Sequence, residues 1–301
     1  MRRKIIKQGN NSYTMTLPIS WIKENSLEGG SEIDLLEEEN KLILARPRDA
    51  KHPESSISFD LNGYNERTIL NIINQNYRKG YDKFILKTDN KDQKLTIKKI
   101  IKESILGFEV TENNKDHIII QNIAEPSPDK FDVILRKTFF IIKDDGEELI
   151  NKLKNNKKPN LTQFQENKDL MDNYTNFLRR ITINAKIGGS RKSYLNYYFI
   201  SELSHIQHAY FYLVKSIINN KTDAGFTNLV NETNKHFDLL ETAYYKKDIN
   251  LAHEISSNKT KLQKEIFNLL NQNNNKEATY HLGEIIRHTH LASTVLFGMM
   301  N

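Results

Sequence analysis

The chain contains no cysteine in 301 residues. That excludes disulfides, thiolate nucleophiles and cysteine-ligated zinc, and it fits a reducing, intracellular setting. No apolar run reaches the ~18 residues that a membrane-spanning helix needs. The first residues turn polar within a few positions, so no signal-peptide core is read there. There is no GxSxG elbow, P-loop, HExxH or GxGxxG, and an enzyme is not expected.

What is present is ordinary for a soluble globular protein, 38% hydrophobic and 27% charged, and long enough at 301 residues for two or three domains. The net charge is +6, but its distribution says more than its size. Residues 1–23 carry Arg2, Arg3, Lys4, Lys7 and Lys23 and no acid. Residues 24–40 carry Glu24, Glu28, Glu32, Asp34, Glu37, Glu38 and Glu39 and no base. Such a split can orient a small domain against a polyanion. Two solvated faces that neutralise each other within a dimer have the same pattern.

The opening residues alternate, with Ile6 on one face and Ile5 and Lys7 on the other. Gly9, Asn10 and Asn11 form a turn cluster, and Tyr13, Met15 and Leu17 then alternate with Thr14 and Thr16. Pro18 opens a short helix carrying Ile19, Trp21 and Ile22, which stops before Gly29 and Gly30. A second hairpin is expected around Glu38, Glu39 and Asn40. The β-β-α-β-β unit of residues 1–46 is too small to bury much alone, so it is expected to dimerise.

Residues 47–55, with Pro47 and Pro53, read as a linker. Residues 56–123 read β-α-β-α-β-β, a small α/β domain with two helices on one face of a sheet and no Gly-rich phosphate loop. From 124 onward six helical segments follow, near 126–155, 162–187, 191–220, 223–247, 250–273 and 276–300. In the third, Leu195, Phe199, Leu203, Ile206, Tyr210, Leu213 and Ile217 form one apolar stripe. Antiparallel bundling as two three-helix repeats, 124–220 and 221–301, is expected. The fold class is therefore multidomain α+β. Gly146 within KKDDGEELI is not a calcium loop, because alternating Asp/Asn ligands are missing.

The stretch GNNSYTMTLP, with Trp21 and LEGGSEI behind it, resembles the SpoVT/AbrB swapped-hairpin domain over residues 1–46. The resemblance implies a homodimer in which hairpins interleave into one small β-barrel, its basic first strands and turn facing double-stranded DNA. It implies phosphate contacts from Arg2, Arg3, Lys4 and Lys7, and contacts to phosphates or base edges from Gln8, Asn10, Asn11 and Ser12. Cations and amides suit those tasks. Ser31 stands where the family commonly has Asp. A module that only dimerises, or that binds a partner peptide as antitoxins of this fold do, is the alternative.

The full order of parts, with ENKDLMDNYTNFLRR and INLAHEISSNKTKLQKEI, resembles archaeal PhoU-like regulators of phosphate uptake. That implies a cytoplasmic transcriptional regulator whose barrel binds DNA and whose helices sense or relay phosphate status. The alternative is an adaptor whose helices bind a phosphate transporter ATPase or sensor protein while the barrel only dimerises. PhoU proteins often hold metal clusters on Glu/Asp-x-x-x-Asp pairs; here the pattern is eroded, with Lys168 four before Asp172, Ser204 and His208 in the third helix, and Glu284 and His288 or Gly283 and Arg287 in the last, and no cofactor is expected from it. A separate metal candidate pairs Glu202, His205 and His208 of the third segment with His281, Glu284 and His288 of the sixth. Solvated surface histidines are the plainer alternative. Finally, no acid occurs from Asn173 to Ser201, while Arg179, Arg180, Lys186, Arg191 and Lys192 do. That patch reads as an anion site, a contact with anionic lipid, a second DNA contact or a solvated basic corner.

Overall fold

The computed structural model describes residues 2–9, 11–38, 41–45, 55–124, 128–185, 187, 189, 192–220, 222–272 and 275–300. It divides into two units, Met1–Pro53 and Glu54–Asn301.

In the first unit, β1 (Ile5–Gln8) pairs antiparallel with β2 (Ser12–Met15), Ile5 opposite Met15 and Gln8 opposite Ser12. Gly9 enters the turn at φ +71°, a conformation that glycine adopts without steric penalty. Pro18, at φ −63°, leads into α1 (Ile19–Glu24). Then β3 (Asp34–Glu38) pairs antiparallel with β4 (Lys41–Ala45). The two hairpins remain separate two-stranded sheets. Among the described residues of this unit none is buried. Ile5 is 69% and Ile19 74% exposed, and Ile6, Tyr13, Leu35 and Leu42 are also open to solvent. The elements are formed, but among the described residues they enclose no fully buried core.

The second unit begins with β5 (Ser56–Asp60), α2 (Glu66–Arg78), β6 (Lys83–Lys87), α3 (Lys91–Ser104), β7 (Phe108–Asn113) and β8 (His117–Asn122). The sheet order is β5-β6-β8-β7, with β5 parallel to β6 and the other pairs antiparallel. The register sets Ile57 beside Phe84 and Phe84 opposite Ile120, with Phe59, Leu86 and Ile118 in the next row of the same face. Ile69, Ile73 and Tyr77 of α2 and Ile97, Ile100 and Ile101 of α3 complete that core.

After a 3₁₀ turn at Pro128–Lys130 come α4 (Phe131–Lys154), α5 (Leu161–Asn184), α6 (Ser193–Ile217), α7 (Ala224–Lys246), α8 (Ile249–Gln272) and α9 (Lys276–Met299). Every residue of the expected α6 stripe is buried except Leu195, which is half-buried and packs on the same core. The starts of α5, α7 and α9 are set by Asn160, Asp223 and Asn275, whose side chains accept backbone N–H groups of Thr162, Phe226 and Ala278. Lys247, in the left-handed region at φ 52°, ends α7. Neighbouring helices run antiparallel: Leu195 meets Gly298 and Tyr212 meets His281 along α6 and α9, while Phe139 meets Tyr244 and Gly146 meets Asn234 along α4 and α7.

One side chain ties the sheet to the helices. Arg180 of α5 is 2% exposed. It donates to the carbonyls of Tyr77 and Tyr81 at 2.9 and 2.8 Å and to Asp82 Oδ1 at 2.6 Å. Its guanidinium also lies over the rings of Tyr77 and Phe108. Asn176, one turn earlier, donates to the carbonyl of Ser104 and accepts from Arg78 Nε.

Candidate functional site

Two surfaces gather the residues singled out in the sequence. The first is the β1–β2 hairpin. Arg2, Arg3, Lys4, Lys7, Gln8, Asn11 and Ser12 are all exposed; Asn10 lies outside the described residues. The Ser12 hydroxyl donates to the carbonyl of Gln8 and closes the turn. Lys7 lies opposite Tyr13, on the face that also carries Ile5 and Met15, while Gln8 and Ser12 share the other face with Ile6 and Thr14. The hairpin tip thus presents a cation and two polar side chains beside an apolar surface that nothing in its own unit covers.

The second is a groove along the seam of α6 and α9. His205, His208, Tyr212, Tyr280, His281, Glu284 and His288 line an opening of about 210 Å³. Helical spacing places Glu202 and His205 three apart on α6 and Glu284 and His288 four apart on α9, so each pair shares a face. Glu202 is 3% exposed. His288 Nδ1 lies 2.6 Å from Glu202 Oε2, and its Nε2 lies 3.4 Å from Glu284 Oε2. His205 Nδ1 lies 4.0 Å from the same Glu202 oxygen, and the two imidazole centroids are 4.8 Å apart. Burial works against ionisation of Glu202, but His205 and His288 outweigh it and hold its carboxyl at about 2. On the far wall Tyr212 stacks on His281, whose pKa is lowered by burial.

His208 belongs to a different set. Its Nε2 meets Asp172 Oδ1 at 2.8 Å, and Lys168 Nζ meets Asp172 Oδ2 at 3.0 Å. Burial opposes the charge on Asp172, yet His208 and Lys168 bring its pKa down to about 2. The cluster site that the PhoU resemblance implies does not fit here, because a lysine ammonium already neutralises the carboxylate. The two tyrosines of the groove were not singled out in the sequence. Tyr212 stands four after His208, and that spacing is the only signal that points to it.

The basic stretch is not an open patch where it is described. Arg179 and Arg180 are both buried. Arg179 Nε donates to Ser201 Oγ at 3.2 Å, and Arg180 is consumed by the sheet contacts above. Lys192 is half-buried and reaches the carbonyl of Met299 at 3.1 Å. Lys186 and Arg191 lie outside the described residues. Arg179 is buried against Tyr197 and Ser201 of α6 and Arg180 against Tyr77, Tyr81 and Asp82, packing that composition alone does not reveal.

A family model described as "Antidote-toxin recognition MazE, bacterial antitoxin" matches residues 6–51. The N-terminal domain is AbrB-like. The match covers that domain and none of the sheet or helices that follow. No curated protein and no solved structure matches the chain. Among the described residues, no helix is long and apolar enough to cross a membrane.

Proposed function

We propose that the chain is a DNA-binding transcriptional regulator that pairs with a second copy through residues 1–46. The observation that carries this reading is the first unit itself: no described residue in it is buried, and Ile5, Ile6, Tyr13, Met15, Leu35 and Leu42 are exposed alongside its cations. Interleaving two copies covers Ile5, Tyr13, Met15, Leu35 and Leu42. It leaves Arg2, Arg3 and Lys4 for phosphates, with the polar hairpin tip beside them. The helical part then acts as the sensor or relay. Assigning it to phosphate homeostasis rests on the order of the domains and on the two helical stretches that resemble PhoU-like regulators.

The matched antitoxin family supports a second reading, in which the same domain binds a protein partner. A gel shift with a mixed-sequence duplex separates the two. Full-length protein is compared with a variant in which Arg2, Arg3, Lys4 and Lys7 are all alanine. Loss of most binding is expected, and the slope of log K against log salt should shrink by about 3–4. Equal affinity and equal slope in the two proteins would remove the DNA reading and leave the partner-binding one.

A further inference from the structure

We propose that Glu202, His205 and His288 form a binding site for one divalent transition-metal ion of the zinc class at the α6–α9 seam, with Glu284 orienting His288. The site lies between the two helices and is separate from the Asp172 carboxylate, which Lys168 already neutralises.

Four observations carry it. First, the donor atoms of these three residues lie within 4.8 Å of one another, although they come from two helices. An ion with bonds of about 2.0–2.2 Å needs donors roughly 3.3 Å apart, a small adjustment from this arrangement. His205, whose side chain is 52% exposed, is free to make it.

Second, both nitrogens of His288 face carboxylates, Nδ1 toward Glu202 and Nε2 toward Glu284. A neutral imidazole has one N–H, so it can donate to only one of them. The other contact needs an additional proton or a cation. If a metal is bound at Nδ1, the Nε2–H donates to Glu284. That is the carboxylate–histidine–metal arrangement that fixes ring orientation and tautomer.

Third, Glu202 is a nearly fully buried carboxylate with no lysine or arginine on it among the described ion pairs. Buried carboxylates are paired or coordinate metals. Fourth, the groove of about 210 Å³ opens beside the cluster, which gives the ion a path in and leaves a fourth position for water. Two imidazole nitrogens and one carboxylate oxygen suit zinc and its first-row neighbours better than calcium or magnesium, which prefer all-oxygen shells.

The test uses full-length protein without a histidine tag, stripped with a chelator and titrated with zinc chloride, and in parallel with cobalt(II) chloride. One zinc per chain is expected, and the cobalt form should show the intense d–d absorption of a four- or five-coordinate ion. His205→Ala sits on a half-exposed position and should fold normally by circular dichroism while losing at least about 100-fold in affinity. Glu202→Gln should do the same, and Glu284→Gln should lose about 10–100-fold, the usual effect of an outer partner. His208→Ala lines the groove outside the ligand set and should bind as the parent does. Substoichiometric zinc in the parent, or affinity in His205→Ala equal to the parent's, would show a proton-bridged ion pair only and overturn the proposal. So would a loss in His208→Ala as large as that in His205→Ala.

Discussion

Asp145 sits inside α4 with no solvent exposure. Its Oδ1 accepts from Asn167 Nδ2 of α5 at 2.7 Å and its Oδ2 from Gln207 Nε2 of α6 at 3.0 Å. Burial raises its pKa to about 7, more than the two amide donors lower it, with Asp144 adding to the rise. The buried phenol of Tyr210, a further ionisable neighbour, stays neutral in this range. Gln207 Oε1 meanwhile is buried without a hydrogen-bond partner. The folded pKa lies above the unfolded one, so the folded state holds a proton that the unfolded state has released. Stability from this group is full below about pH 4, falls as pH rises to about 7, and is level above that. At about 1.4 kcal/mol per tenfold, the gap from 3.8 to about 7 sets an upper bound of about 4 kcal/mol. Asp145→Asn keeps the shape and removes the charge. Urea unfolding followed by helical circular dichroism should show the variant more stable by up to about 1.5 kcal/mol at pH 5 and by up to about 4 kcal/mol at pH 8.5, the gap widening as pH rises. Equal destabilisation of the variant at both pH values would refute the reasoning. It would mean that Asp145 is ionised throughout and that its two donors are what the bundle needs.

Two other substitutions follow from the same structure. Arg180→Ala leaves Asp82 without its buried partner and the carbonyls of Tyr77 and Tyr81 without their donor; a loss of about 3–5 kcal/mol is expected. Arg180→Lys should recover little of it, because a lysine cannot serve three acceptors from a planar fork, and thermal melts of both variants check this. His236 of α7 is 2% exposed with neither ring nitrogen hydrogen-bonded, beside a cavity of about 90 Å³ that Glu232, Lys235 and Lys261 also line. Burial, with His290 adding to it, lowers its pKa to about 4. The unfolded state binds the proton first, so stability should be full above pH 6.5 and fall as pH drops toward 4. His236→Leu should flatten that slope, and an unchanged slope would point to a protonated, water-served ring.

Much of the fold was legible in the sequence because its elements obey strong local rules. The Leu195-to-Ile217 stripe and the Pro18 start of α1 each act within a few residues of chain. The expected helix limits were longer than the observed ones at several ends. The clearest case is the end of α6, expected near 220 and reached at Ile217. What could not be read was the junction of sheet and bundle. Arg179 and Arg180 look like surface charge by every compositional measure. Only the approach of Tyr77, Tyr81 and Asp82, about 100 residues earlier, turns Arg180 into a core residue.

The groove lies between those extremes. Helical spacing alone showed that Glu202 and His205 share a face, as do Glu284 and His288. It did not show that the two faces meet, because the pairing of α6 with α9 is a long-range fact decided by their apolar sides. Leu203, Ile206 and Leu213 drive α6 into the bundle as Leu282, Ile285 and Ile286 drive α9, and the polar residues between them are carried into the seam whether or not they favour burial. A helix that only needed to pack has no use for a buried glutamate at that position. Leucine at 202 and at 288 would fill the seam without the desolvation that a carboxylate and an imidazole incur. The same holds for Asp145, which is served by amides and not by a cation. Two carboxylates set into one bundle, one facing imidazoles and one facing amides, are difficult to explain by stability. They mark the two positions where an apolar side chain of matching shape should raise the stability of the bundle.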